Sequence, residues 1–75
     1  MQIGQKVKLV CDNSFAVNGW LADKEAIIIN FLPNDLVVIK PLVNYAHILS
    51  SALSVELNLP KGQLVVNNTN IQEIK

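Results

Sequence analysis

Two runs of β-branched residues on either side of a proline-containing turn constrain this chain more than any other feature. Glu25–Phe31 contains Ile27, Ile28 and Ile29, and Leu36–Pro41 contains Val37, Val38 and Ile39. Branching at Cβ stiffens χ1 and suits the pleated strand better than the helix. Leu32-Pro33-Asn34-Asp35 lies between them. Proline presets φ, and Asn or Asp side chains bond their own backbone, so this stretch predicts the turn of an antiparallel hairpin. Pro41 has no N–H to give to a ladder, so its end of the strand lies at an edge or leaves the sheet.

The loop length sets a register. With Leu32–Asp35 as the loop, Phe31 faces Leu36, Ile29 faces Val38, and Ile28 faces Ile39. Cross-strand partners share a face. One face then carries Ile27, Ile29, Phe31, Leu36 and Val38. The other carries Ile28, Val37 and Ile39, with Ala26 and Asn30. A sheet with one wet face alternates cleanly, and this one is apolar on both. One face belongs to the core, and the other needs a cover: either the 44–52 segment or another chain. Ile28, Val37 and Ile39 are the residues expected at such a protein interface.

Shorter signals surround the hairpin. Gln5–Cys11 reads as a strand, because Val7, Leu9 and Cys11 alternate with Lys6 and Lys8. Asn18-Gly19 is a two-residue hairpin signal, since both residues tolerate positive φ. It places Val17 opposite Trp20 and Phe15 opposite Ala22. Asn44–Ala52 fits a short helix capped by Asn44, with Tyr45, Ile48, Leu49 and Ala52 on one side; a strand is the other reading. Leu53–Leu59 alternates and predicts a strand, Pro60-Lys61-Gly62 a turn, and Gln63–Asn67 a returning strand. Asn67-Asn68-Thr69-Asn70 reads as a turn. Ile71 and Ile74 suit a last helical turn or an edge strand. The sum is a single mainly β domain over residues 1–75. It has five to six short strands and one short helix near residues 44–52, arranged as a small barrel or a bent antiparallel sheet that limits exposed edges.

Composition narrows the classes. Apolar residues make up 51% of the 75 and charged residues 16%, with six lysines balancing six acids. A typical soluble domain carries about 25% charged residues. A chain this small is mostly surface, with little charge to spread over it and no net charge to keep copies apart. Self-association, most simply as a two-fold homo-oligomer, is therefore expected. No apolar run approaches the roughly 18 residues of a membrane span, and the first residues lack the apolar core of a secretion signal. One cysteine, Cys11, excludes an internal disulfide. A reducing, cytoplasmic setting is expected. Asn67-Asn68-Thr69 matches a glycosylation sequon, which carries no weight without secretion.

Parts of the chain resemble a known architecture. Ile3-Gly4-Gln5-Lys6-Val7-Lys8-Leu9-Val10 resembles the first strand of SH3-like small β-barrels, where a glycine and alternating valines precede a long loop. Leu9 stands in place of the second valine. Leu64-Val65-Val66, followed by Asn70-Ile71-Gln72-Glu73-Ile74, is similar to their closing strand and terminal turn. The resemblance covers residues 1–40 and 61–75. Val43–Leu59 departs from it, since those barrels join their third and fourth strands by a tight turn. Families of this fold include photosystem accessory subunits, ribosome-associated modules and peptide-binding adaptors. The resemblance thus implies binding more often than catalysis, and selects no ligand.

Chemistry-bearing residues are sparse. His47 is the only histidine, and none of Cys11, Asp12, Asp23, Asp35 or Glu56 stands at metal-ligand spacing from it. Cys11 ends an alternating strand, where a free cysteine acts as a small buried hydrophobe. The glycines, Gly4, Gly19 and Gly62, are too scattered for a phosphate loop. No catalytic residue, cofactor or metal is assigned. Lys6 and Lys8, with Phe15, Trp20 and Tyr45 for stacking, are what a nucleic-acid surface would use. The absence of arginine and of net positive charge argues against one. Trp20 either packs over the barrel mouth or, with Tyr45, anchors a protein interface, since Trp and Tyr bury large areas at small entropic cost. The expectation is a non-catalytic protein-binding module: an accessory subunit, adaptor or inhibitor. The alternative is a nucleic-acid-binding small β-barrel.

Overall fold

The computed structural model describes residues 1–10, 23–45, 47 and 52–74. Its elements in chain order are strands β1 (Lys6–Leu9), β2 (Glu25–Leu32) and β3 (Leu36–Pro41), helix α1 (Ala52–Glu56), strand β4 (Leu64–Asn67), a 3-10 turn (Asn68–Asn70) and strand β5 (Ile71–Glu73). The strands form one antiparallel sheet in the order β4-β3-β2-β1-β5. The fold is mainly β, with five strands and one short helix. Of the two expected architectures, the bent sheet is present. The closed barrel is not, since among the described residues no ladder joins β4 to β5.

The bend follows from connectivity. β4 and β5 are the two edges of the sheet, yet only Asn68–Asn70 separates them. A flat sheet of five strands is about 19 Å across, at about 4.8 Å per strand pair. Three residues of 3-10 helix span about 6 Å. The sheet must therefore curl until its edges approach, which gives a body of 32 × 26 × 23 Å.

Asparagines hold that seam. Asn67 Oδ1 accepts from the Thr69 N–H and hydroxyl, both at 3.1 Å, and Asn70 Oδ1 accepts from the Asn67 N–H at 3.2 Å. These reciprocal bonds make a capping box at the start of the turn. Asn70 is buried and also reaches β1: its backbone carbonyl accepts from the Val10 N–H at 2.8 Å, and its Nδ2 donates to the Val10 carbonyl at 3.4 Å.

The core lies inside the curl. Val7 and Leu9 of β1, Ala26 and Ile28 of β2, Val37 and Ile39 of β3, Leu64 and Val66 of β4, and Ile71 of β5 form one cluster, with Val43 and Tyr45 packed against it. On the opposite face, the cross-strand pair Val38 and Val65 is also buried. Both faces of the β3–β4 pair are therefore shielded from water.

The hairpin register differs from the expected one over half its length. Ile28 faces Ile39, as expected. Beyond that pair the register shifts, so that Asn30 faces Val38, Phe31 faces Val37, and Leu32 faces Leu36. The loop is Pro33–Asp35, one residue shorter than expected, with Asn34 and Asp35 both at positive φ. Asn and Asp enter that left-handed region more readily than other non-glycine residues. A β-bulge at Ile29 absorbs the extra residue.

Most of the segment expected as a short helix, 44–52, lies outside the described residues, and a helix is observed at its end and beyond. Asn44 and Tyr45 form a turn, residues 46 and 48–51 lie outside the described residues, and the helix is Ala52–Glu56. The strand expected over Leu53–Leu59 is therefore this helix and its exit. The exit is a Schellman motif: the Leu59 N–H donates to the Ser54 carbonyl at 2.9 Å, and the Asn58 N–H to the Val55 carbonyl at 3.1 Å. Asn58 takes the left-handed conformation this needs, at φ 56°. Pro60 follows shortly after, where a helix cannot continue. Ile71–Glu73 is an edge strand, the second of the two readings for that segment. The strand expected at Gln5–Cys11 is observed over Lys6–Leu9.

Candidate functional site

The residues around the hairpin tip frame an open groove of about 340 Å³. β2 and β3 supply Phe31, Leu32, Leu36 and Val37; the loop supplies Asp35; Met1, Asn68 and Ile71 complete the wall. The bulge at Ile29 brings Phe31 to this position. It turns Phe31 onto the core-facing side opposite Val37, at the open end of the curl, where it stays 43% exposed. The Asn68 N–H donates to the Asp35 carbonyl at 2.8 Å and ties the hairpin tip to the 3-10 turn. Both walls therefore rest on hydrogen-bonded backbone.

The groove is largely apolar, with the Asp35 side chain and the Met1 amine as charged groups of its lining residues. Asp35 is the single ionisable side chain among its lining residues, and its side chain is exposed. Two ion pairs are present among the described residues: Lys8 with Asp23 at 3.5 Å, away from the groove, and the amine of the groove-wall residue Met1 with Glu73 at 3.6 Å. The arrangement suits an apolar side chain from a partner.

Helix α1 is a second unusual surface. It buries its serine and exposes its large apolar residues: Ser54 is 1% exposed, whereas Val55 is 64% exposed, and Leu53 and, just past the helix, Leu57 are also in water. A surface helix ordinarily does the reverse. A third surface is the convex face of the sheet, where Lys6 and Lys40 flank Ile27 across three neighbouring strands.

The expected interface residues separate into four groups. Ile28 and Ile39 have no exposed surface and belong to the protomer's own core. Val37 is buried beside them and also forms part of the groove wall. Tyr45 is half-buried against the core. Trp20 lies outside the described residues, as do Cys11 and the Asn18-Gly19 hairpin. His47 is exposed, and no group of three or more His, Cys, Asp or Glu gathers among the described residues. No helix among them is long and apolar enough to cross a membrane.

Sequence reasoning did not single out Phe31, Leu53 or Leu57, and weighed Asp35 only as a partner for His47. The expected register put Phe31 among the residues of a covered face. Asn58-Leu59-Pro60 is the local signal that would have ended a helix and so exposed Leu53 and Leu57. Comparison with protein-family models, with curated proteins and with solved structures finds no match.

Proposed function

We propose that this chain is a small non-catalytic protein-binding module that self-associates or docks on a protein partner, as an accessory subunit, adaptor or inhibitor. The observation that carries this reading is the apolar groove, with Phe31 half in water above Val37 and Ile71. Leaving an aromatic ring, Leu53 and Leu57 exposed costs the isolated protomer free energy that a partner recovers by covering them. We also read the fold as an SH3-like barrel left unclosed. The strand order, and the 3-10 turn linking the edge strands, support that likeness. A reducing, cytoplasmic setting belongs to the same reading and rests on the lone cysteine.

The test compares wild type with Phe31→Ser, by solution mass from micromolar to millimolar concentration and by co-purification from the host. The reading expects either an oligomer or a captured protein that the folded variant loses. A monomer at every concentration, with the same captured proteins in both forms, would refute it.

One observation favours a second reading. Lys6 and Lys40 on the convex face stand either side of half-buried Ile27, as a weak polyanion surface would require. A nucleic-acid-binding module predicts RNA or DNA affinity that falls steeply with salt and drops in Lys6→Gln and Lys40→Gln. Affinity that does not change with salt or with these substitutions would remove this alternative.

A further inference from the structure

We propose that Asn30 is the positioning residue of the groove: its side chain holds the bulge at Ile29 and thereby keeps Phe31 in the groove wall. This rests on the protein-binding reading above, in which Phe31 is the aromatic residue offered to a partner.

The hairpin can be drawn in two registers that share the Ile28–Ile39 pair. Without a bulge, Ile29 would face Val38, Asn30 would face Val37, and Phe31 would face Leu36. A one-residue slip turns every later side chain to the other face. Asn30 would then enter the curl beside Ile28 and Val37, and Phe31 would leave the groove for the convex side. In the observed register Ile29 is unpaired, Asn30 faces Val38, and Phe31 faces Val37. Asn30 is exposed, and Phe31 lines the groove. One extra residue thus exchanges the sides of a polar and an aromatic side chain.

Asn30 favours that arrangement twice over. Its Oδ1 accepts from the Phe31 N–H at 2.9 Å, which fixes the backbone just after the bulge. In the regular register its amide would instead enter a core built of valine, leucine and isoleucine. A polar group is costly there unless it finds partners. The bond made and the burial avoided belong to the same side chain and select the same register.

Neighbouring strands leave the choice to the hairpin itself. β1 follows β2 only as far as Ile28, where the Gly4 N–H donates to the Ile28 carbonyl at 2.8 Å and the Ile28 N–H to the Gln5 carbonyl at 3.0 Å. Past Ile28, β2 is laddered to β3 alone among the described residues. The stretch that carries Asn30 and Phe31 is therefore held from one side, and a single side chain can decide its register.

The test is nuclear magnetic resonance on the chain alone. Asn30→Val removes both the acceptor and the burial penalty, and keeps a side chain that suits a strand. Asn30→Asp keeps an acceptor and a polar side chain. Wild type should show cross-strand contacts of Phe31 with Val37 and of Leu32 with Leu36. Asn30→Val should lose both and gain contacts of residue 30 with Val37 and of Phe31 with Leu36. Asn30→Asp should keep the wild-type pattern, which loss of stability alone would not explain. Circular dichroism checks that each variant folds, and Asn30→Ala replaces Asn30→Val if that variant does not. The proposal is overturned if folded Asn30→Val keeps Phe31 opposite Val37, since the loop Pro33–Asp35 would then set the bulge without Asn30. It is also overturned if Asn30→Asp changes register. These outcomes need no partner. If Asn30→Val moves Phe31 while Phe31→Ser leaves solution mass and captured proteins as in wild type, the positioning role stands and the protein-binding reading falls.

Discussion

Ile28 and Ile39 face each other across the central hairpin, and neither has any surface in water. The pairing means that the face they share is the inside of the curled sheet. A charge at either position would be buried without a partner in the protomer, whatever binds outside. Ile39→Asp should therefore unfold the protein. The penalty is several kcal/mol, against a total stability of about 4–11 kcal/mol for 75 residues. Circular dichroism should show loss of the native spectrum. A folded Ile39→Asp would contradict the placement of this pair.

Asn70 joins the 3-10 turn to the end of β1 and accepts from the Asn67 N–H. Asn70→Ala leaves that N–H and the Val10 carbonyl without these bonds, at a cost of about 1–3 kcal/mol. Urea denaturation should show a lower midpoint. Thr69→Ala removes only an exposed hydroxyl contact and should cost well under half as much.

Asn58 tests the helix exit directly. At φ 56° it occupies the position that glycine fills best. Asn58→Gly should leave stability unchanged or raise it, while Asn58→Ala should lower it by about 1 kcal/mol. An alternating strand through this segment would give the opposite order, because glycine weakens a strand. Thermal or urea melts of the two variants separate these cases.

Gly4 has φ 89°, between Gln2 and Gln5, whose backbone groups close a turn at 3.1 Å. An added Cβ would meet nothing within 4 Å. The cost of Gly4→Ala is therefore conformational alone, about 1 kcal/mol. A loss of several kcal/mol in urea melts would show that the site is crowded after all.

Local chemistry made much of the fold legible. The β-branched runs and Pro33 gave the hairpin, and the asparagine cluster at 67–70 gave the turn, because each depends on residues near one another in the chain. Leu53–Leu59 misled for a physical reason. Leucine and valine at every second position satisfy the strand pattern, but a five-residue helix can be set by its exit alone, through Asn58 and Pro60. The groove was less legible. It combines the hairpin tip, the 3-10 turn and the first residue, which no local pattern connects.

The residue pattern by itself determined which side chains share a face: Ile28 with Val37 and Ile39 follows from the two-residue period of a strand. It did not determine which face turns inward, because alternation is the same viewed from either side. That choice came from the curl of the sheet. The curl is forced by joining edges β4 and β5 through three residues, and it closes over Ile28 and Ile39 while leaving Phe31 at the open end. The bulge at Ile29 was likewise decided at the tertiary level. A loop one residue shorter than expected must be reconciled with an Ile28–Ile39 pair held by core packing, and the strand takes up the difference between them.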